Sequence, residues 1–277
     1  METLLEPFGY SYMVNAMWVP ALVGGTCAFL SAYLMLKGWS LIGDALSHSI
    51  VPGVAGAYML GLPFSLGAFL AGGLAAGAIL FLNQRTRLKE DAVIGLIFTS
   101  FFGLGLFMVS LSPAAVNIQT IVLGNILAIT PFDTLQLVII SGVSLFLLTL
   151  KWKDLLLHAF DPAQAKAAGL PVRVLHYGLL AILSLTIVAT LKAIGLILAI
   201  GLLIAPGAIA FLVTRQFRHM MVVAVIVMAI AMIGGIYLSF WIDSAPAPTI
   251  ILILAGTFVA AFVYRQFRNA GSEAVTG

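Results

Sequence analysis

The sequence predicts an all-α protein, a polytopic transmembrane bundle of about nine helices. Of its 277 residues, 62% are hydrophobic and 8% are charged, whereas a soluble domain is about 25% charged. Apolar runs recur along the chain, and a run of about 20 apolar residues is long enough to cross the hydrocarbon layer as a helix. Basic, Gly- or Pro-containing breaks separate the runs. We therefore expect a single transmembrane domain over residues 1–277.

Nine runs are long enough to span a membrane. They cover residues 13–36, 41–62, 64–82, 92–111, 132–150, the two halves of 174–213, 220–241 and 249–264. The stretch 174–213 is about twice too long for a single crossing, and Lys192 divides it. An alternative with eight spans keeps this stretch as one long or broken helix.

The breaks between the runs support these boundaries. A basic, aromatic turn at 37–40 follows the first run, and Gly61-Leu62-Pro63 predicts a tight turn between the second and third. A polar connection at 112–131 has an apolar centre, 121–127, which we expect to form a short re-entrant segment. The longest polar loop is 151–173, and 269–277 has the composition of a disordered tail.

The basic residues predict the orientation. With nine spans and the N-terminus outside, twelve of the thirteen Lys and Arg residues face the cytoplasm, and only Lys192 does not. The eight-span alternative places the basic loops on both sides. We therefore expect the C-terminus in the cytoplasm. Because the net charge of +3 comes from these loops, it does not indicate a nucleic-acid partner.

The stretch from Gly43 to Gly53 carries the candidate site, within the second run. Asp44 and His48 are four residues apart, so on a helix they project from one face. Ser47 lies near the same face, and Pro52 lacks the N–H that would bond the carbonyl of His48. A carboxylate, an imidazole, a hydroxyl and a freed carbonyl would form a plausible shell for Mn²⁺, Fe²⁺ or Zn²⁺.

A structural role for the same pair is the alternative. Ionisable side chains are expensive in lipid and usually face a cavity, a partner or a cargo, but they also pair to hold helices together. The neighbouring small residues fit both interpretations, because they admit either another helix or an ion. They are Gly43, Ala45, Ser47, Ser49, Gly53, Ala55, Gly56 and Ala57.

The loop 151–173 contains the pattern of a short, capped helix that could dock a partner. Asp161 is suited to the N-cap, Pro162 to the first helical position, and Gln164 to a capping box. Ala165 lies mid-helix, and Gly169 can adopt the left-handed conformation that ends it. A plain connector helix is the alternative. The chain has no G-x-x-x-x-G-K-[ST] motif, so an ATP-driven process would need a separate ATPase.

Five ordered blocks resemble one known family, over about residues 15 to 264. The chain is similar to the integral membrane subunit of bacterial ABC importers for manganese, zinc and iron. The blocks are residues 43–53, 90–95, 124–128, 161–169 and 195–210, the last with Leu202-Leu203-Ile204-Ala205-Pro206.

The resemblance implies a permease in the bacterial inner membrane, not an enzyme. It implies a second copy of the chain, two ATPase subunits and a periplasmic metal-binding protein as partners, and membrane lipid around it. It further implies that Asp44 and His48 ligate the metal in transit, with no permanent cofactor, and that the coupling helix to the ATPase is 161–169.

Within that family, the chain resembles the manganese and chelated-iron branch. Zinc members tend to carry an extra His in the fourth span, where this chain has Phe98, Thr99 and Ser100, and an Asp where it has Asn125. An oxygen-rich site with one His favours Mn²⁺ or Fe²⁺ over Zn²⁺. A zinc importer of the same family remains the alternative.

Two residues near the outer face are further candidates for binding, and two other functions are alternatives to the importer. Lys192 could pair with a binding protein or extend to the interface, and Asp243 could attract cations or be a solvated turn residue. A proton-coupled secondary transporter would use Asp44 and His48 as a relay, and an intramembrane hydrolase would use them as its metal site. The capped helix favours the ATP-driven importer, since a secondary transporter needs no ATPase dock.

Overall fold

The computed structural model describes residues 6–111, 124, 126 and 129–276, and no strand occurs among them. Within these residues, a 3-10 turn, Glu6–Gly9, precedes twelve α-helices. They are α1 (Ser11–Lys37), α2 (Ser40–Ser49), α3 (Val51–Met59), α4 (Phe64–Arg85), α5 (Glu90–Leu111), α6 (Pro131–Leu150), α7 (Trp152–Phe160), α8 (Pro162–Ala167), α9 (Val172–Ile194), α10 (Leu196–Val213), α11 (Phe217–Trp241) and α12 (Pro246–Thr276). The predicted all-α class is confirmed.

Eight of these helices are long and apolar enough to cross a membrane: α1, α4, α5, α6, α9, α10, α11 and α12. The stretch 174–213 forms two of them, and the division falls at Gly195, three residues after Lys192. The second predicted run is the pair α2–α3, interrupted at Ile50. Because Pro52 lacks an N–H, the helical ladder cannot continue unbroken past this point. Counting α2–α3 as one crossing gives nine, and that count stays a prediction.

The helix ends fall into two groups. At what we call the basic end, Lys37 contacts His158, and a groove is lined by Lys153, Arg215 and Arg265 together. At the opposite end, Lys192 contacts Asp133, and Phe8 lies against Tyr237, with ring centroids 6.2 Å apart. The start of α1 and residue 265 of α12 therefore lie at different ends, which requires an odd number of crossings between them.

Helix α1 forms the centre of the bundle and packs against α6, α9, α10 and α11. Its contact with α10 is close because Gly207 has no side chain: a Cβ there would lie 2.5 Å from the hydroxyl oxygen of Ser31. The backbone N–H of Gly207 donates to that oxygen at 3.0 Å. The Ser31 hydroxyl in turn donates to the carbonyl of Ile204 at 3.3 Å.

The small residues around the candidate site serve helix packing. Gly53 in α3 and Gly67 in α4 face each other so closely that a Cβ on either would overlap the other's carbonyl. Gly105 in α5 leaves no room for a Cβ beside Pro52, and Gly43 faces Leu203. At Gly43 and Gly53 the structure shows close helix approach, and a role of the small residues in admitting an ion stays a prediction.

Three predicted segments are not matched by the structure as predicted, because they either have a different conformation or lie mostly outside the described residues. The polar loop 151–173 contains α7 as well as the predicted short helix α8. The predicted re-entrant segment, 121–127, lies outside the described residues apart from 124 and 126. Helix α12 continues to Thr276, which differs from the disordered tail expected over 269–277, and the mobility of that tail stays a prediction.

Candidate functional site

Asp44 and His48 lie one helical turn apart on α2 and contact each other. The Nδ1 atom of His48 is 3.2 Å from Oδ1 of Asp44 and 3.1 Å from the Asp44 carbonyl oxygen. A proton on Nδ1 can donate to both oxygens, which leaves the lone pair on Nε2 free. The pair is therefore formed as the four-residue spacing predicts.

The pair is partly open at the surface of the chain. The Asp44 side chain is 38% exposed and that of His48 is 20% exposed. Helix α2 packs against α4, α5, α9 and α10, so its other faces are covered. An ion could reach these two side chains without displacing a helix of this subunit.

Two aromatic rings from α5 enclose the His48 imidazole. Its ring centroid lies 5.0 Å from that of Phe98 and 5.2 Å from that of Phe102, with interplanar angles of 86° and 90°. The two phenyl rings are nearly parallel, at 8°. Edge-to-face contacts of this kind stabilise one ring orientation. They form an apolar wall that adds no ligand atom.

Two further groups of the predicted shell are already bonded. The Ser47 hydroxyl is buried and donates to the carbonyl of Gly43 at 2.7 Å, so it could offer an ion only a lone pair. The His48 carbonyl lacks its usual donor at Pro52, as predicted, but the N–H of Ile50 at the helix end bonds to it. The structure thus brings together two of the four predicted groups, the carboxylate and the imidazole.

The separation of these two groups is compatible with chelation. Ligand atoms about 2.1 Å from an ion lie roughly 3.0–3.4 Å apart when they subtend angles between octahedral and tetrahedral values. The observed Nδ1–Oδ1 distance of 3.2 Å lies within that range, so both atoms could bind one ion once the imidazole proton moves from Nδ1 to Nε2. Among the described residues, no group of three His, Cys, Asp or Glu side chains could hold a metal ion. The pair is thus an incomplete shell, which suits a passing ion better than a resident one.

The predicted short helix forms at the basic end, with one difference. Asp161 caps it, with Oδ1 accepting from the N–H groups of Ala163 at 2.9 Å and Gln164 at 3.0 Å. Pro162 occupies the first position, and Gly169 ends the turn with a φ of 78°. No capping-box bond from Gln164 is seen in the described chain, because the N–H of Asp161 already bonds to Leu157 in α7.

Ala165 is fully buried, whereas its neighbours in α8 are exposed. The exposed residues of this helix are Pro162, Ala163, Gln164, Lys166 and Ala167. A partner that docks on α8 would therefore contact these residues, while Ala165 anchors the helix to the bundle.

The two outer-face candidates lie at the opposite end. Lys192 is not free: its Nζ lies 2.6 Å from Oδ1 of Asp133 and donates to Gln136 at 2.8 Å. This network joins α9 to α6. Asp243 lies in an exposed turn with a φ of 50°, a conformation that Asp tolerates better than most residues.

A polar cluster at the basic end was not predicted. The Nζ atom of Lys37 lies 2.9 Å from Nε2 of His158 and 4.1 Å from the centre of the Trp39 ring. The rings of His158 and His176 are 5.6 Å apart. Burial, with the Lys37 ammonium beside it, lowers the pKa of His158 to about 4. No local pattern joins residues 121 positions apart, so the sequence offered no signal for this contact.

Comparison with known proteins places the chain in a family. A profile of the ABC 3 transport family matches residues 9–265. The chelated iron transport system membrane protein YfeC of Yersinia pestis is 50% identical over 264 residues, which cover 95% of this chain and 90% of that protein. The manganese transport system membrane protein MntB of Synechocystis sp. is 46% identical over 260 residues, which cover 94% of this chain and 85% of that protein.

A solved structure, PsaBC from Streptococcus pneumoniae in complex with Fab, superposes on 94% of this chain and 95% of its own with a TM-score of 0.85, at 31% identity. The profile match runs from before α1 to Arg265 in α12, and the curated relatives align over nearly the whole chain. This chain therefore belongs to the ABC 3 transport family.

Proposed function

We propose that this chain is the membrane permease of an ATP-driven importer of Mn²⁺ or iron, and that Asp44 and His48 hold the ion in transit. The observation that supports this most is the carboxylate–imidazole pair, 3.2 Å apart and partly open, on a broken helix within an apolar bundle. An ionisable pair inside a membrane bundle is expensive, and such pairs usually mark an ion pathway.

The donor atoms support Mn²⁺ or Fe²⁺ over Zn²⁺. One nitrogen, carboxylate oxygens and water form a mostly oxygen shell, which suits these ions. Phe98 and Phe102, which face the imidazole, offer no nitrogen ligand. The names of the relatives agree, since one refers to chelated iron transport and another to manganese transport.

The family and the exposed helix α8 at the basic end support the proposed partners. An ABC permease needs ATPase subunits, and we infer two of them, together with a second copy of this chain and a periplasmic metal-binding protein. The basic end faces the cytoplasm by the distribution of Lys and Arg. Helix α8 is exposed there, rigidly capped and anchored through Ala165, so it would transmit movement of the ATPase to the bundle.

Uptake by reconstituted complexes tests the site. We expect Asp44→Asn and His48→Ala to lower ATP-driven uptake of Mn²⁺ at least about tenfold, because the first removes the negative charge of the carboxylate ligand and the second removes the imidazole from an already sparse shell. Co-purification with the ATPase should be unchanged. Normal uptake by both variants would contradict the ligand assignment, and uptake that needs a proton gradient but no ATP would favour a secondary transporter.

Crosslinking tests the partner on α8. A cysteine at Gln164 or Lys166 should crosslink to a cysteine in the ATPase surface in membranes, since both side chains are exposed. Ala165→Cys is the matched control from the same helix, and it should not crosslink because position 165 is buried. Equal crosslinking at 164 and 165, or at neither 164 nor 166, would contradict docking on this face.

A further inference from the structure

A groove at the basic end lies between α1, α7 and α11, beside the end of α6, and has no role in the proposed site. Its volume is about 700 Å³. Phe29 of α1, Trp152 of α7, and Val222 and Ile226 of α11 line its walls. We call it the lateral groove. Lys153 and Arg218 also line it and are exposed, and we call their end of the groove the rim.

The two cations are not neutralised within this chain. Neither Lys153 nor Arg218 forms an ion pair with a carboxylate in the part of the chain that the structure describes. The carboxylate nearest in sequence, Asp154, pairs with Lys151 at 3.1 Å. Both cations are exposed, and Lys153 lies only 5.7 Å from the centre of the Trp152 ring. The rim therefore offers two unpaired positive charges beside an aromatic residue that is typical of the membrane interface.

The groove runs from the rim into the apolar layer. Ile226 lies eight residues after Arg218 on α11, which corresponds to about 12 Å along a helix. Val222 is 53% exposed and Ile226 is 51% exposed. Exposed Ile230 and Ile233 continue the same face of α11. The groove is thus continuous with an apolar face of α11 that can contact the bilayer.

We propose that the lateral groove binds one anionic phospholipid of the inner leaflet. The headgroup phosphate contacts Lys153 and Arg218, and an acyl chain lies along Phe29, Val222 and Ile226. Basic pockets between transmembrane helices on the cytoplasmic side are suited to anionic headgroups. A phosphate can accept several donors from an Arg guanidinium at once, which adds geometric fit to the charge attraction.

Charge favours a lipid over a protein in this groove. If a second copy of this chain packed against the groove with the twofold axis passing through it, its own Lys153 and Arg218 would lie next to these two residues, and the like charges would repel. The ATPase docks beyond the membrane surface, whereas the apolar walls reach about 12 Å inward from Arg218. A lipid alone supplies an anion at the rim and a hydrocarbon chain below it.

Native mass spectrometry of the delipidated, full-length permease tests this site. We expect one phosphatidylglycerol to be retained, with phosphatidylcholine bound at least about tenfold more weakly, because it carries the phosphate without net charge. The double variant Lys153→Gln/Arg218→Gln should lose about 10- to 30-fold in affinity. Ile226→Trp, which fills the trough, should also weaken binding.

Matched controls separate this site from general effects. Arg87→Gln removes a basic residue in the loop after α4, and Leu104→Trp enlarges an exposed apolar residue of α5, a helix that does not line the groove, so both should keep the lipid. If the double variant does not fold, the single variants Lys153→Gln and Arg218→Gln test the site, and each should show an intermediate loss of lipid affinity. Equal retention of the two lipids, displacement by inorganic phosphate, or unchanged binding in every groove variant would overturn the proposal.

Discussion

At the scale of single residues, the orientation of His48 is set by its neighbours. Asp44 holds Nδ1, and the rings of Phe98 and Phe102 stand edge-on at 5.0 and 5.2 Å. The imidazole is therefore presented in one direction before an ion arrives, which lowers the cost of binding. The same two phenyl rings offer no ligand nitrogen on that side.

A histidine at position 98 should change metal preference. Phe98→His places a second imidazole about 5 Å from the first, and a site with two nitrogen ligands favours Zn²⁺ relative to Mn²⁺. We expect the ratio of Zn²⁺ to Mn²⁺ uptake to rise severalfold. Ser100→His is the control, because position 100 points away from His48 along α5. A ratio that changes equally in both variants would contradict an effect through the site.

His158 should make the protein sensitive to acid. Its pKa is about 4 in the folded state because the imidazole is buried beside Lys37, against about 6.5 in an unfolded chain. Between these values the unfolded chain binds the proton and the folded one does not, so stability is lost as the pH falls from about 6.5 towards 4. The loss is at most about 1.4 kcal/mol per pH unit.

Thermal unfolding in detergent at about pH 7.5 and about pH 5 measures this effect. The melting temperature of the wild type should fall further between the two conditions than that of His158→Asn, which keeps a polar side chain but cannot titrate in this range. An identical fall in both proteins would show that other groups, such as His176, account for the acid sensitivity.

At the scale of helices, the contact between α1 and α10 depends on one missing side chain. Gly207→Ala would place a methyl group 2.5 Å from the Ser31 hydroxyl oxygen, and 2.6 Å from the Ser31 carbonyl oxygen. Overpacking of this kind costs about 1–3 kcal/mol. We expect a lower melting temperature, with Gly142→Ala in α6 as control, since no atom of the described residues lies within 4 Å of a Cβ at that position. Equal melting temperatures for the two variants would contradict a tight contact.

The interruption between α2 and α3 lies next to the candidate site. Pro52 predicts an interruption, and the structure locates it at Ile50, two residues after His48. Gly105 and Gly67 let α5 and α4 approach the two sides of the break closely. The site therefore lies beside an interrupted helix that α4 and α5 approach closely, so the position of His48 depends on the packing of α2, α4 and α5.

At the scale of the whole molecule, the two ends of the bundle should lie on opposite sides of the membrane. Gly9 and Gln266 are exposed and lie near the opposite and basic ends, respectively. A cysteine at 9 should react with an impermeant thiol reagent from outside and one at 266 only from inside. The native Cys27 is buried, so the parent protein provides an unreactive background. Labelling of both positions from one side would contradict nine crossings.

The sequence predicted most of the fold because membrane helices are encoded locally. A run of apolar residues is sufficient to identify a span, and Asp161, Pro162 and Gly169 mark the limits of α8 by their own backbone preferences. The Asp44–His48 contact was also predictable, since a helix brings residues four apart together. Contacts between distant segments were not, such as His158 with Lys37, Lys192 with Asp133, or the phenyl wall around His48. Those depend on how helices pack, which one sequence does not record.

Pulsed electron paramagnetic resonance of Mn²⁺ bound to the purified complex tests the central claim most directly. Coupling between the ion and a ¹⁴N nucleus reports an imidazole in the shell. We predict one such coupling in the wild type, its loss in His48→Ala, and its persistence in His158→Asn, whose imidazole lies at the basic end away from the site. Bound Mn²⁺ without nitrogen coupling in the wild type, or coupling that survives in His48→Ala, would contradict His48 as a ligand of the transported ion.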